Sequence, residues 1–183
     1  MIYFTSDLHI GHDQPFIWRS RGFSSIEEHD EAIIDNINKT VDKGDTLIVL
    51  GDLSLGPLEN VHKLSYIDFT VKVKVLIGNH DSFPRLDAYD NIGFDTTSFG
   101  YASPFTYHKW KFMLSHYPML TTNFDDKGVR NRVWNLHGHT HSKDKLELWP
   151  QAGINVGVDA NNLCPISIEE IIETIRETWN DEH

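Results

Sequence analysis

The sequence predicts an α/β fold, with one sheet of parallel strands followed by a second sheet, on three observations. Short apolar runs recur along the chain: Ile2-Tyr3-Phe4, Leu47-Ile48-Val49-Leu50, Val73-Lys74-Val75-Leu76-Ile77, Phe112-Met113-Leu114 and Val133-Trp134-Asn135-Leu136. Each stops at a Gly or polar turn, as buried strands do. Stretches with helical spacing separate the early runs, and such a β-α-β rhythm favours parallel strands joined by right-handed crossovers. Just after the five runs come Asp7-Leu8-His9, Gly51-Asp52, Gly78-Asn79-His80-Asp81, Ser115-His116 and Gly138-His139-Thr140-His141. Ligands of open α/β sheets sit outside the carboxyl ends of the strands, so five such ends suggest one shared site.

The elements follow in order. A strand over residues 1–6 opens into Asp7. A helix is predicted over 24–42: Ser25-x-x-Glu28 is a capping box, Ile26, Ile33, Ile34, Ile37 and Val41 make its apolar stripe, and Gly44 stops it. The strand at 46–50 delivers Asp52, and Leu58, Val61 and Leu64 suggest a second helix before the strand ending at Ile77. Pro84, Gly93, Gly100 and Pro104 punctuate 82–106, where the aromatics are dense, so short strands and turns leading into a second sheet are expected there. Tyr107 to Lys111 resembles a hairpin without a strong Asn-Gly signal. A polar loop from Thr121 to Arg132 precedes the run holding Trp134, which reads as core. Strands are expected over 145–149 and 153–158. Ser167-x-x-Glu170 then caps a last helix whose apolar face is Ile168, Ile171, Ile172, Ile175 and Trp179.

Carboxylate oxygen, amide oxygen and imidazole nitrogen, with no thiolate, are ligands of hard and borderline divalent metals. Asp7 and His9 are two apart, as are His139 and His141; on an extended segment such residues point the same way and can reach one ion. Each piece alone has a bland reading as a turn or a core histidine, but the ensemble supplies donors for two metals.

These blocks, D-x-H, G-D, G-N-H-D, an isolated His and G-H-x-H, stand in order from Asp7 to His141. They resemble the signature of the calcineurin-like metallophosphoesterase superfamily, in its small single-domain bacterial and phage branch. The resemblance implies two mixed β-sheets packed as a sandwich flanked by helices, a four-layer α/β/β/α arrangement. It also implies that Asp7, His9 and His141 ligate one divalent metal, that Asp52 bridges to the second, and that Asn79, His116 and His139 complete the second. His80 then contacts the phosphate and protonates the leaving oxygen, with Asp81 orienting its ring. Manganese is the first expectation for both ions, with iron, nickel, zinc and magnesium also accepted by such donors. Two cations lower the pKa of a shared water and clamp the attacking and leaving oxygens of an in-line displacement. Formally they bring four positive charges; Asp7, Asp52 and a bridging hydroxide remove three, leaving one to hold a phosphate anion.

Around these blocks lie further candidates for substrate contact. His12, beside the first block, is expected to touch substrate or support a ligand, with a solvated loop histidine as the other reading. Arg19 and Arg21 follow, and Arg130 and Arg132 close the polar loop; guanidinium suits phosphate, with surface salt bridging as the other reading. Asn155-Val156-Gly157-Val158-Asp159 resembles the closing strand of the same branch.

With 183 residues the chain is read as one domain, 1–183, able to bury roughly 70% of its unfolded surface. No run approaches a membrane span, no basic leader precedes the first motif, and Cys164 is the only cysteine, so a cytoplasmic setting is expected. The net charge of -11 argues against a broad grip on extended nucleic acid. A small phosphorylated substrate, nucleotides included, is the expected partner, with a phosphodiesterase or phosphatase activity; oligomeric state is left open. The alternatives are a non-catalytic adaptor on the same fold and a nuclease acting on nucleic-acid ends. Gly51-Asp52-Leu53 lacks the D-R-G continuation of protein phosphatases, which puts protein substrates in doubt.

Overall fold

The β-rich runs pair as their apolar content requires. β1 (Ile2–Thr5), β2 (Thr46–Val49) and β3 (Lys72–Val75) run parallel, with Thr5 opposite Val49 and Val49 opposite Val75, so all three end at one edge. The computed structural model describes residues 1–68, 70–123, 126, 128–147 and 153–181. The hairpin expected at Tyr107 is present: β4 (Ala102–Tyr107) and β5 (Trp110–Ser115) pair antiparallel with Tyr107 opposite Trp110. β6 (Val133–His137) lies parallel to β5, β7 is Leu146–Glu147, and β8 (Gly153–Asn155) is parallel to β6 and antiparallel to β7. β9 (Ile166–Ser167) joins β1 antiparallel. The result is two mixed sheets, ordered β3-β2-β1-β9 and β4-β5-β6-β8-β7. Residues 148 and 149 of the strand expected at 145–149 lie outside the described residues.

Two cores follow from strand alternation. Leu47, Val49, Val73 and Val75 face one way and pack with Ile33, Ile34 and Ile37 of the second helix. Phe4 and Ile48 face the other way and meet Phe112, Leu114, Trp134, Leu136 and Ile154 of the second sheet. Each fully buried Ile or Leu contributes roughly 1.5–3 kcal/mol. The helices are α1 (Pro15–Trp18), α2 (Ile26–Thr40), α3 (Phe83–Asn91) and α4 (Ile168–Asp181). α2 and α3 cover the outer face of the first sheet, whereas α4 sends Ile168, Ile171, Ile172 and Ile175 into the core between the sheets. The Trp179 side chain lies outside the described residues.

Three expectations are corrected. The segment at 83–91 is a helix: Pro84 sits in its first turn, where a missing N–H costs nothing, and Leu86 and Tyr89 bury one face. A proline that reads as a turn in a run of turn formers is here a helix start. Residues Leu58–Tyr66 form a 3-10 helix in which Val61 and Leu64, three apart, share the buried side. α2 ends at Thr40, with Val41 extended; Gly44 only turns the chain, at φ +85°.

The capping box at Ser167 is complete, whereas at Ser25 the Glu28 carboxylate takes the N–H of Ser24 in place of that of the cap. Ser25 Oγ accepts from the Glu28 N–H, and Ser167 exchanges bonds in both directions with Glu170. Ser167→Ala should therefore lower the unfolding free energy by about 1 kcal/mol, read as a fall in the urea midpoint at unchanged slope; an unshifted midpoint would show that the cap contributes nothing.

Candidate metal centre

The strand ends converge, but not by extended backbone. β1 stops at Thr5, and Asp7 and His9 adopt left-handed φ of 58° and 53°. Asp52 (57°), His139 (68°) and His141 (50°) do the same. Each such residue costs on the order of 1–3 kcal/mol outside glycine, and bulky or branched side chains tolerate it worst. The i, i+2 pairs share a site because left-handed residues alternate, not because a strand continues. Two glycines let the loops close. A Cβ on Gly51 would lie 2.5 Å from Gly78 Cα, and one on Gly138 would lie 2.1 Å from Ser6 Oγ and 2.3 Å from Asp7 Oδ2.

The donors form two groups around one carboxylate. Asp7, His9 and His141 offer ligand atoms within 4.8 Å of one another, as do Asp7, Asp52 and His116. Asp7 belongs to both groups, and Asp52 Oδ2, 3.9 Å from His9 Nε2 and 3.4 Å from His116 Nε2, links a nitrogen of each. Asn79 Oδ1 is 2.8 Å from His116 Nε2 and 3.0 Å from His139 Nδ1, and those two nitrogens are 3.2 Å apart. Lone pairs aimed at each other at such distances need a proton or a cation among them. Asp7 Oδ1 and His9 Nε2, both buried and 4.0 Å apart, have no hydrogen-bond partner among the described residues. Buried acceptors are rarely left so; a cation between them satisfies both.

The titration of the donors tells the same story. Burial pushes the His9 imidazole down to about 2, so the ring is neutral and its nitrogen available. Burial also drives Asp7 upward, because nothing compensates its charge fully. For Asp52 burial acts upward too, but the bond with His116 wins and holds it below the usual range. For His116 burial acts downward, yet the Asp52 carboxylate lifts it to about 9. His116 Nδ1 donates to the Leu50 carbonyl at 2.8 Å, which turns Nε2 toward the site.

His80, with its side chain 41% exposed, stands beside this cluster, its Nε2 3.9 Å from Asp52 Oδ2. Its N–H donates to Asp52 Oδ1 at 2.9 Å. With His9, His12, His141, Phe16, Ile17, Ser20, Leu55, Lys143 and Asp159, it lines a cleft of about 620 Å³. His12 is thus in the cleft, its Nδ1 3.2 Å from His9 Nδ1.

Several other sites of expected contact are elsewhere. Asp81 does not serve the His80 ring: its Oδ2 accepts from the Asp52 and Gly78 N–H groups (2.8 and 2.9 Å) and its Oδ1 from the Tyr89 hydroxyl (3.0 Å). It ties two motif loops together. Arg21 points inward, its side chain 1% exposed and paired with Asp159 at 2.8 Å, so no phosphate meets it. Arg19 is exposed and lies over the Trp18 ring at 4.9 Å. Arg130 lies over Trp110, at the start of β5, whereas His116 follows its end. Arg132, just before β6, donates to the Asp126 carbonyl at 2.6 Å. Both are at the far ends of strands whose carboxyl ends carry the site. Sequence reasoning gave no role to Asp159, which accepts from His141 Nδ1 at 2.8 Å. A lone Asp 18 residues beyond its histidine carries no spacing signal; only the closing segment of the β6–β8 pairing brings it there.

Comparison with known proteins bears on the family and the fold. A family model described as calcineurin-like phosphoesterase matches residues 1–170. An uncharacterised protein of Methanocaldococcus jannaschii is 30% identical over 182 residues, covering 95% of this chain and 90% of that protein. The gene 66 protein of Mycobacterium phage L5 is 30% identical over 207 residues, covering 98% and 96%. In fold, the chain resembles the crystal structure of a protein of unknown function from Aquifex aeolicus, with a TM-score of 0.69 at 22% identity, covering 95% and 98%.

Gly138→Ala isolates the close packing at the floor. The added methyl must displace the Ser6 hydroxyl or the Asp7 carboxylate, so a loss of about 1–3 kcal/mol in unfolding free energy is expected, measured on metal-free protein. A variant as stable as the parent would mean the loops have room that the backbone geometry denies.

Proposed function

The chain belongs to the calcineurin-like phosphoesterase family, and from that premise we propose that it hydrolyses phosphodiester or phosphomonoester bonds of a small substrate, nucleotides included, with two divalent cations. The observation that supports this reading is the placement of Asp52 Oδ2 between the His9 and His116 nitrogens. In this reading Asp7, His9, His141 and Asp52 hold one cation, and Asp52, Asn79, His116 and His139 the other, with manganese the first choice. When bound, the pair supplies Lewis acidity and an activated water for in-line displacement.

The chain's own residues do the rest. Asp7 and Asp52 are the only carboxylates among the seven donors, and Asn79 adds oxygen without charge, so the loaded site keeps an excess of positive charge for a phosphate. His80 is held at the cleft wall through its N–H bond to Asp52, with its ring exposed enough to reach a leaving oxygen as general acid. Phe16, Ile17 and Leu55 give the cleft an apolar wall, and Lys143 a cation. A cleft of this size suits a small molecule better than an extended polymer. Among the described residues no helix is long and apolar enough to cross a membrane, and a cytoplasmic setting and a single-domain organisation belong to the same proposal.

Purified protein with manganese, assayed against mono- and diester panels including cyclic and dinucleotides, tests it; loss of turnover with a chelator and recovery on re-addition are expected. His80→Ala should cut kcat by roughly 10²–10⁴-fold while manganese content stays unchanged. Full turnover in that variant would remove His80 from its role, and a metal-loaded parent inert on every ester would end the hydrolase reading. Loading at pH 7 should also release protons, because His116 holds its proton up to about 9 in the metal-free chain and a ligand must be neutral. Apparent affinity should therefore rise with pH until about 9. Calorimetry in buffers of different ionisation enthalpy reads the proton count; a count of zero would exclude His116 as a ligand.

A further inference from the structure

We infer that Arg21 and Asp159 are a positioning pair that sets the cation affinity of one half of the centre, the half built from Asp7, His9 and His141. The inference rests on the reading given under Proposed function.

Arg21 uses its whole guanidinium. Nε and one terminal nitrogen grip the two oxygens of Asp159 at 2.9 and 2.8 Å. The same terminal nitrogen reaches the Asp7 carbonyl at 2.8 Å, and the other reaches the Leu8 carbonyl at 3.2 Å and His29 Nε2 at 2.9 Å. That accounts for the five N–H donors an arginine has. The carbonyls of two successive peptides, Asp7–Leu8 and Leu8–His9, are thereby pinned, in the stretch where Asp7 and His9 are left-handed.

Asp159 extends the hold to the other sheet. Its Oδ2 accepts from His141 Nδ1 at 2.8 Å, which commits that nitrogen to carry the proton and leaves Nε2 as the electron-pair donor, 3.9 Å from Asp7 Oδ1. A carboxylate behind a ligating imidazole fixes its tautomer and raises its basicity. Arg21 is in turn anchored. Because His29 Nε2 accepts from it, His29 Nδ1 donates to Asp30 Oδ1 at 2.9 Å, and Asp30 also takes the Gly11 N–H and the Lys63 ammonium. The chain of contacts runs from α2 into the site without a break. The other half is backed differently: His116 Nδ1 leans on a main-chain carbonyl, His139 is tied by its own N–H to Asp7, and Asp81 holds main-chain N–H groups of the Asp52 and Gly78 loops, so among the described residues no carboxylate outside the donor set stands behind either ring. Disturbing the pair should therefore weaken one cation and spare the other. Lysine cannot replace Arg21, since one ammonium cannot serve a carboxylate side-on and two carbonyls at once.

The test is a calorimetric titration of the full chain with manganese alone, no ester present. The parent should bind two ions. Asp159→Asn and Arg21→Lys should each weaken one step by about tenfold to a hundredfold and leave the other within about twofold. Unchanged isotherms in both variants, or equal weakening of both steps together with a lowered Tm, would overturn the inference. A measurement on the parent guards against a variant that does not fold: ¹⁵N NMR of the metal-free chain should show His141 protonated on Nδ1, and protonation on Nε2 alone would overturn the pair's role. A parent that binds no manganese would instead defeat the reading on which this rests, whereas two ions bound with no ester turnover would leave the pair standing.

Discussion

Too many acceptors meet in too little space around Asp52, and the surrounding structure is arranged to tolerate that. Asn79 Oδ1, His116 Nε2 and His139 Nδ1 sit 2.8–3.2 Å apart, and Asp7 Oδ1 faces His9 Nε2 with no donor between them. An ordinary core would avoid this, because unsatisfied buried polar groups cost on the order of 1–3 kcal/mol each. Without a cation the chain meets the demand in part by protonation: Asp52 keeps its charge while His116 is lifted to about 9. His9 is the opposite case, driven neutral by burial. His116 and His9, one in each half, thus meet the demand for positive charge differently, the first by holding a proton and the second by offering a bare lone pair.

Holding such groups together demands a frame that does not relax. Five donors accept left-handed backbone, and Gly51 and Gly138 remove the side chains that would keep the loops apart. The compensation lies close by. Asp81 accepts two main-chain N–H groups from the Asp52 and Gly78 loops and is itself fixed by Tyr89, while Arg21 fixes the Asp7–Leu8 carbonyls. Both are charged residues used as staples. Each is buried next to main chain that has left the strand ladder, where neutral side chains would offer fewer or weaker bonds.

What could be read in the sequence was whatever depends on local pattern. The strand-end motifs, the two serine caps and the hairpin at Tyr107 are local, and the structure places them as expected. The helix at 83–91 was missed because Pro84 means opposite things at a turn and in a first helical turn, and only Leu86 and Tyr89 hinted at its period. Arg21, Asp81, Arg130 and Arg132 were misplaced for a different reason. A charged side chain near a motif can point toward the site or behind it, and spacing does not encode which. Asp159 had no role in the sequence reading because its contact with His141 exists only once β6 and β8 are paired. The same holds for the left-handed donors: D-x-H spacing is compatible with a strand, and the actual backbone is not one.

The two sheets and the centre are one structural problem. β1 and the segment after β8 touch through the Ser6–Gly157 bridge, and the Val158 N–H donates to the Ser6 carbonyl at 3.1 Å. In each half of the proposed centre the donors come from both sides: Asp7 and His9 follow β1 and His141 follows β6, while Asp52 and Asn79 follow β2 and β3 and His116 and His139 follow β5 and β6. Any cation held by such a set bonds across the seam between the sheets. Binding free energy is then also sheet-docking free energy, since the unfolded chain presents no such set. The left-handed donors and crowded acceptors that weaken the frame are thus the same features that suit it to bind, and a chain relieved of them would fold more easily and hold nothing.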